Sequence, residues 1–274
     1  MLLSVLAAAA ALAAPVPHGD FLVTDLSGAM RVVDTRGRTV RRLSWTLPRQ
    51  QPQALELARD RRHAYISLWR EDLPPELFLV DLADGSRTKL DDGTSPALSP
   101  DGTRLAYVAA RRDNDITYRT ALVIRDARTG RGRTIPLTPK AALGTPPELV
   151  LNWSPDGQRV ALLGRSRIRI VDVRHDRTVD AGPPPLSTPA LAPVFLTRKT
   201  LVVLMGCCVG PQRLTAVDAH LRTRYAFARV SSPVEQVRRV RTGELVVVTA
   251  LAELALVTRG HTHVIARRVV AVAP

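Results

Sequence analysis

The 274 residues are 45% apolar and 23% charged, a globular composition with enough length for one or two ordinary cores. Lys+Arg reach 39 against 25 Asp+Glu, a formal charge of +14, but the basic residues are scattered and form no long cationic tail. Aromatics at 4% argue against a base-stacking nucleic-acid platform, and 21 prolines leave little room for long helices.

The chain opens on an apolar run, Leu2 to Ala14, broken only by Ser4. It is too short to span a bilayer, which takes about 20 residues, and reads as the hydrophobic part of a signal peptide. Ala11-Leu12-Ala13 fits the small-x-small cleavage rule, so residues 1–13 are expected to be removed and Ala14 to become the new terminus. The expectation is export to the periplasm or the outside of the cell, although no positive charge precedes the apolar run. The most apolar later stretch, Leu245 to Val257, is interrupted by Glu253 and reads as two strands rather than a membrane span.

From Phe21 onward the chain repeats itself. Leu98-Ser-Pro-Asp-Gly-Thr-Arg-Leu-Ala-Tyr-Val108 and Trp153-Ser-Pro-Asp-Gly-Gln-Arg-Val-Ala-Leu-Leu163 have one pattern, a turn followed by a short apolar strand. Ser, Pro, Asp and Gly in that order suit the four positions of a type I turn. Weaker copies begin at Leu57, Phe195 and Val240. The first apolar residue of each strand marks a series: Val23, Ala64, Leu105, Val160, Leu201 and Leu245, spaced 41, 41, 55, 41 and 44. A second series ends each following strand on an aspartate: Asp34, Asp81, Asp126, Asp172 and Asp218, spaced 47, 45, 46 and 46. Another extended segment follows each aspartate, so one unit is about four strands. A period of roughly 40–45 residues with four strands is the mark of a propeller blade. The long spacing holds two insertions, Arg111 to Tyr118 in a hairpin and Thr138 to Glu148 between units.

The expected fold is therefore all-β: one domain over residues 14–274, a six-bladed β-propeller of four-stranded antiparallel blades. The first unit starts in second-strand position, and the terminal apolar run Val269 to Ala273 is expected to supply its missing innermost strand and close the ring. The Ser-Pro-Asp-Gly-x-Arg pattern, strong at 98–108 and 153–163 and fair at 57–66, resembles the WD40-like repeat of the TolB-type six-bladed propellers. The resemblance covers the propeller part only. It implies a secreted or envelope protein that serves as a binding scaffold.

Catalytic motifs do not emerge. There is no Gly-x-Ser-x-Gly elbow and no phosphate-cradling glycine loop, and no cofactor is expected. The blade-turn aspartates recur because turns recur. His261-x-His263 would share one strand face, and Asp113-Asn114-Asp115 offers three oxygen ligands, but each is only a fragment of a metal site. Trp153 stands where Leu98 stands in the other copy and belongs to the core. Trp69, at the end of a strand, is the candidate for an exposed stacking residue. Gln53, Asn152 and Glu235 fall on innermost strands and are candidates to face a central channel. Cys207 and Cys208 are the only cysteines. Export would place them in an oxidising compartment, and a vicinal disulfide is one reading. Adjacent Cα atoms lie about 3.8 Å apart, below the usual disulfide range, so that bond would be strained. Two free thiols, a soft-metal site and an intermolecular bridge are the other readings.

The functional expectation is a monomeric, non-catalytic scaffold that binds a protein, a small ligand or an anionic envelope component, with no specific nucleic acid and no transmembrane helix. Two alternatives stand beside it. One is a propeller enzyme, a metal-assisted lyase or hydrolase using the histidines. The other is a polyanion-binding protein using its arginine surface.

Overall fold

The computed structural model describes residues 14–25, 27–47, 51–69, 74–114, 117–142, 151–164, 167–175, 177–180, 193–205, 211–218, 220, 222–241 and 244–274. Every regular element among them is a strand. The first three are β1 (Phe21–Thr24), β2 (Ala29–Val33) and β3 (Thr39–Thr46). Then come β4 (Gln51–Leu57), β5 (His63–Trp69), β6 (Glu76–Asp81), β7 (Arg87–Leu98), β8 (Arg104–Asn114), β9 (Thr117–Asp126) and β10 (Gly132–Ala142). The middle of the chain gives β11 (Leu151–Trp153), β12 (Arg159–Gly164), β13 (Arg167–Asp172) and β14 (Arg177–Asp180). These are followed by β15 (Val194–Phe195), β16 (Thr200–Met205), β17 (Gln212–Asp218) and β18 (Thr223–Val230). The last are β19 (Val234–Arg241), β20 (Glu244–Thr249), β21 (Glu253–Thr258), β22 (His261–Arg267) and β23 (Ala271–Ala273).

All pairing is antiparallel between neighbours in sequence, with one departure. The chain termini meet: β23 pairs β1, with Leu22 opposite Ala273, Val23 opposite Val272 and Thr24 opposite Ala271. The first sheet is thus ordered β23-β1-β2-β3, as the terminal apolar run led one to expect. The second sheet departs from the four-strand pattern at β7. Residues 87–92 pair with β6 and residues 93–98 pair with β8, so β4 to β10 form one seven-stranded sheet instead of two separate four-stranded ones. The link stays extended although Asp92-Gly93 is a turn dipeptide. Gly93 is required there: a Cβ would meet the Val108 carbonyl at 2.8 Å and the Tyr107 ring at 2.9 Å. The remaining three sheets are β11–β14, β15–β18 and β19–β22, each in sequence order.

Burial is least on the outermost strands. β5 and β20 are buried on both faces, as their unbroken apolar runs require, whereas β3 and β22 are largely exposed. The apolar clusters therefore lie between sheets. Leu22, Met30 and Leu43 pack against Leu55, Ile66 and Val80. Tyr65 and Leu77 pack against Leu105 and Tyr107. Ala106 and Leu122 meet Trp153 and Val160, and Ala161 and Ile170 meet Phe195 and Leu201. Val202 and Leu214 meet Val237 and Val247, and Val246 and Leu254 return to Phe21, Val23 and Val272. The innermost strands follow the same circuit: β23 contacts β4, β4 contacts β7, β7 contacts β11, β11 contacts β15, β15 contacts β19, and β19 contacts β23.

All six repeat-marking apolar residues are fully buried. In the first unit the register places Phe21, not Val23, opposite Val33, which makes Phe21 the counterpart of Ala64 opposite Val80. The two Ser-Pro-Asp-Gly turns are built alike. Ser99 Oγ donates to Asp101 Oδ1 at 2.5 Å and accepts the Arg104 N–H, and Asp101 accepts the Thr103 N–H. Ser154, Asp156, Gln158 and Arg159 repeat the pattern. Gly102 and Gly157 sit at φ +68° and +63°, the left-handed region that glycine enters without steric cost. In the weaker copy Arg61 occupies that position at φ 54°. Its guanidinium donates to the carbonyls of Val16, Pro17 and Asp20, tying down the segment that precedes β1.

Candidate functional site

The innermost strands do not meet at their C-terminal ends. They surround a cavity of about 650 Å³, whose rim is formed by the turns that follow β4 and β7 and by residues 18–21. Three of the inner strands bring an apolar residue to one level of the wall and three bring a polar one. The register defines that level: Glu56 lies opposite Tyr65, Ala97 opposite Ala106, Asn152 opposite Ala161, Val194 opposite Val202, Arg238 opposite Val246, and Ala273 opposite Leu22. In the order of the circuit these are Ala, Glu, Ala, Asn, Val, Arg. The small apolar side chains Ala97 and Val194, on β7 and β15, leave the space. Glu56, Asn152 and Arg238, on β4, β11 and β19, set its chemistry.

Arg238 is 4% exposed and Asn152 8% exposed. The Arg238 guanidinium reaches past β15 and donates from Nη1 to the Leu151 carbonyl at 3.5 Å, a long bond, while its Nε has no partner. Asn152 Nδ2 is likewise buried without a partner. Burial works against the Arg238 charge, and Glu56 is the anion that offsets it. No ion pair joins Arg238 to Glu56; they interact through the field alone. Burial pushes the Glu56 carboxyl up to about 7, against the opposing pull of Arg238 and a backbone N–H of Leu98. Arg239 follows at the rim, half-buried, with desolvation also working against its charge. The wall thus presents more hydrogen-bond donors than acceptors. A buried donor without a partner costs about 1–3 kcal/mol, so this arrangement favours a ligand that brings acceptors.

The other polar groups near the rim are engaged in turns. Ser99 and Asp101 bond to each other, which holds the Asp101 carboxyl at about 2. Asp34, Asp126, Asp172 and Asp218 accept backbone N–H groups two to four residues on, the structural use expected of blade-turn aspartates. Trp153 is core, as its place in the repeat indicated: 5% exposed, with its indole N–H donating to the Ala97 carbonyl at 2.9 Å.

Among the channel candidates, Asn152 lines the cavity. Glu235 is exposed near the start of β19, beside a register shift and apart from the cavity wall. Trp69 is half-buried at the end of β5 opposite Gln51, also apart from the cavity. The side chain of Gln53, on β4, lies outside the described residues, as do Cys207, Cys208 and Asp115. His261 and His263 open β22 and are exposed. Among the described residues no group of three or more His, Cys, Asp or Glu side chains is arranged to hold a metal ion. Glu56 and Arg238 were not singled out from sequence. For Glu56 the available signal was a charged residue between Leu55 and Leu57; for Arg238, one of several charged residues on β19, there was none.

No family model and no curated protein sequence matches the chain. Solved structures do. TolB from Acinetobacter baumannii superposes with a TM-score of 0.62 at 12% identity, over 93% of this chain and 65% of that one. The TolB structure from Agrobacterium tumefaciens gives 0.61 at 15% identity, over 90% of this chain and 87% of that one. The fold is a TolB-like β-propeller. The propeller domain of the trilobed protease from Pyrococcus furiosus gives a TM-score of 0.51 at 13% identity, over 80% of this chain and 85% of that one. The tricorn protease gives 0.57 at 11% identity, with this chain spanning 29% of its length. Identities this low carry the propeller architecture and nothing of the activities. No helix among the described residues is long and apolar enough to cross a membrane.

Proposed function

We propose that the chain is an exported, non-catalytic, six-bladed propeller that docks a partner or ligand at the channel mouth ringed by the inner-strand C-termini. The count of six blades is supported by dividing the seven-stranded sheet at β7, so that its two halves serve as the outer edge of one blade and the inner edge of the next. The closed circuit of inner strands supports the same number. Export rests on residues 1–13. A scaffold role rests on the polar groups of the mouth: Ser99 is committed to its turn, and Glu56 has no nucleophile or metal-ligand cluster beside it among the described residues.

One observation carries the reading. Arg238 and Asn152, both more than nine-tenths buried, border the same cavity with unpartnered nitrogens. Groups left in that state are costly to the fold alone, and a docked partner would supply what they lack. Arg59 and Arg239 on the rim add positive potential and suit a partner with an anionic surface.

The test is fractionation of the source cells followed by capture from the envelope fraction, with the wild-type protein beside an Arg59→Glu/Arg239→Glu double variant. The expected result is recovery outside the cytoplasm with Ala14 at the N-terminus, and a captured partner that the double variant loses. Recovery in the cytosol with Met1 retained would remove the export half. Equal capture by both proteins would move the docking surface away from this mouth.

A further inference from the structure

We infer that the channel-mouth cavity is a carboxylate-binding site, in which Arg238 and Asn152 hold the ligand's carboxylate and Glu56 sets its dependence on pH. The inference rests on the docking reading above and names the chemistry that reading leaves open.

The donor set points to this class. Arg238 contributes a guanidinium edge and Asn152 an amide NH2, from strands on either side of the two-residue β15. Both keep a buried nitrogen unpaired, and both belong to the wall of one cavity of about 650 Å³. A planar carboxylate offers two oxygens that can accept from both. The same level of the wall also holds the Glu56 carboxyl, which discriminates among anions. A singly charged carboxylate meets one like charge at most, and none when Glu56 is protonated. A phosphate near neutrality carries more charge into the same field and is repelled more strongly. Ala97 and Val194, apolar members of the level that line the cavity, leave room for a short aliphatic body beside the carboxylate.

The pH dependence follows from the surroundings of Glu56. Tyr65 faces it from β5 and Arg238 from β19. His18, Arg59, Arg61, Asp101 and Arg239 border the same cavity, and β1 and β23 bring no titratable group. With its carboxyl near 7, Glu56 is mostly protonated at pH 6 and mostly ionised above pH 8. A bound carboxylate makes ionisation of Glu56 harder, so binding takes up a proton and weakens as pH rises.

Two sources share this chemistry, a small carboxylic acid and the free end of a peptide. Titration calorimetry at fixed ionic strength separates them, with four probes: butyrate, acetyl-trialanine with a free C-terminal carboxylate, its C-terminal amide, and inorganic phosphate. The account expects binding of the free-acid peptide, of butyrate, or of both, and none of the amide. Binding of butyrate shows that the carboxylate is read alone; binding of the peptide acid only shows that the site reads a chain end. Affinity should fall about tenfold from pH 6 to pH 8.5 and change little in Glu56→Gln. Arg238→Met should weaken binding at least about tenfold, and Asn152→Ala gives a second reading of the same contact if Arg238→Met does not fold.

Failure of every carboxylate probe, equal binding of acid and amide, phosphate binding as tight as carboxylate, or undiminished binding in both variants would overturn the inference. If an envelope partner is captured but no carboxylate binds, the inference falls and the docking reading stands. If carboxylate binds but no partner is captured, the macromolecular-partner half of the docking reading falls, and its ligand half and the inference stand.

Discussion

The polar residues of the Ser-Pro-Asp-Gly turns and those of the channel wall are neighbours around one rim, yet they are in opposite states. In the turns every partner is present: Ser99 and Asp101 bond to each other and to two backbone N–H groups, and Ser154 and Asp156 do the same. The strand that closes the ring belongs with them, because β23 completes the hydrogen-bonded ladder of β1. On the channel wall Arg238 and Asn152 keep nitrogens that nothing satisfies, and Glu56 is held away from its ordinary ionisation. Satisfied groups hold the fold, and breaking them should cost stability. Unsatisfied groups are poised for something else, and removing them should cost binding while leaving stability intact or improved.

The largest effect is expected from removing residues 269–274. Val269, Ala271, Val272 and Ala273 are fully buried, and their loss leaves β1 as an unpaired inner edge. The expected loss is about 5 kcal/mol or more, from two buried valines, two alanines and the ladder bonds. Urea unfolding measures it, and an unchanged midpoint would show that the ring is not closed by this strand.

Asp101→Ala comes next. It strips the Ser99 hydroxyl and the Thr103 N–H of their acceptor, at an expected cost of about 1–3 kcal/mol. Its hydrogen bonds depress the Asp101 carboxyl from 3.8 to about 2. The stabilisation is therefore present above pH 4 and disappears as pH falls through 2. The variant should lose that part of the acid transition, which unfolding followed from pH 5 to pH 2 would reveal.

Glu56→Gln has a smaller effect of opposite sign. The folded carboxyl is raised to about 7 from 4.5, so its contribution is fully present below pH 4.5 and is lost as pH rises through 7. The variant should gain on the wild type between pH 5 and pH 8. The gain should be on the order of 1 kcal/mol, because ionised Glu56 also offsets Arg238. A wild type that gains on the variant over that range would place a structural ion pair where the account has two separate charges.

The contrast between the two regions also explains what the sequence could reveal. A turn is made by adjacent residues, so Ser99-Pro-Asp-Gly102 states its own conformation, and the repeat of that statement exposes the blade period. Closure was legible for a similar reason, since Val269 to Ala273 had no strand of its own unit left to complete. The continuous strand β7 was not legible, because local signals cannot tell a short extended link from a strand shared by two sheets. Neither was the channel wall. Glu56, Asn152 and Arg238 are far apart in sequence and meet only because every inner strand ends at one level. Asn152 stood out as a polar residue on an inner strand, but the same reasoning selected Glu235, which the register shift beside Val234 leaves exposed and away from the wall.

The most direct measurement is the thermal unfolding of Arg238→Met beside the wild type at pH 7. Methionine keeps most of the length of the side chain and removes a buried charge that has one long hydrogen bond and no ion pair. The account predicts a midpoint equal to or above that of the wild type. A fall of more than about 5 °C, which for a chain of this size means a loss of more than about 2 kcal/mol, would contradict it by showing that Arg238 is already satisfied by the fold.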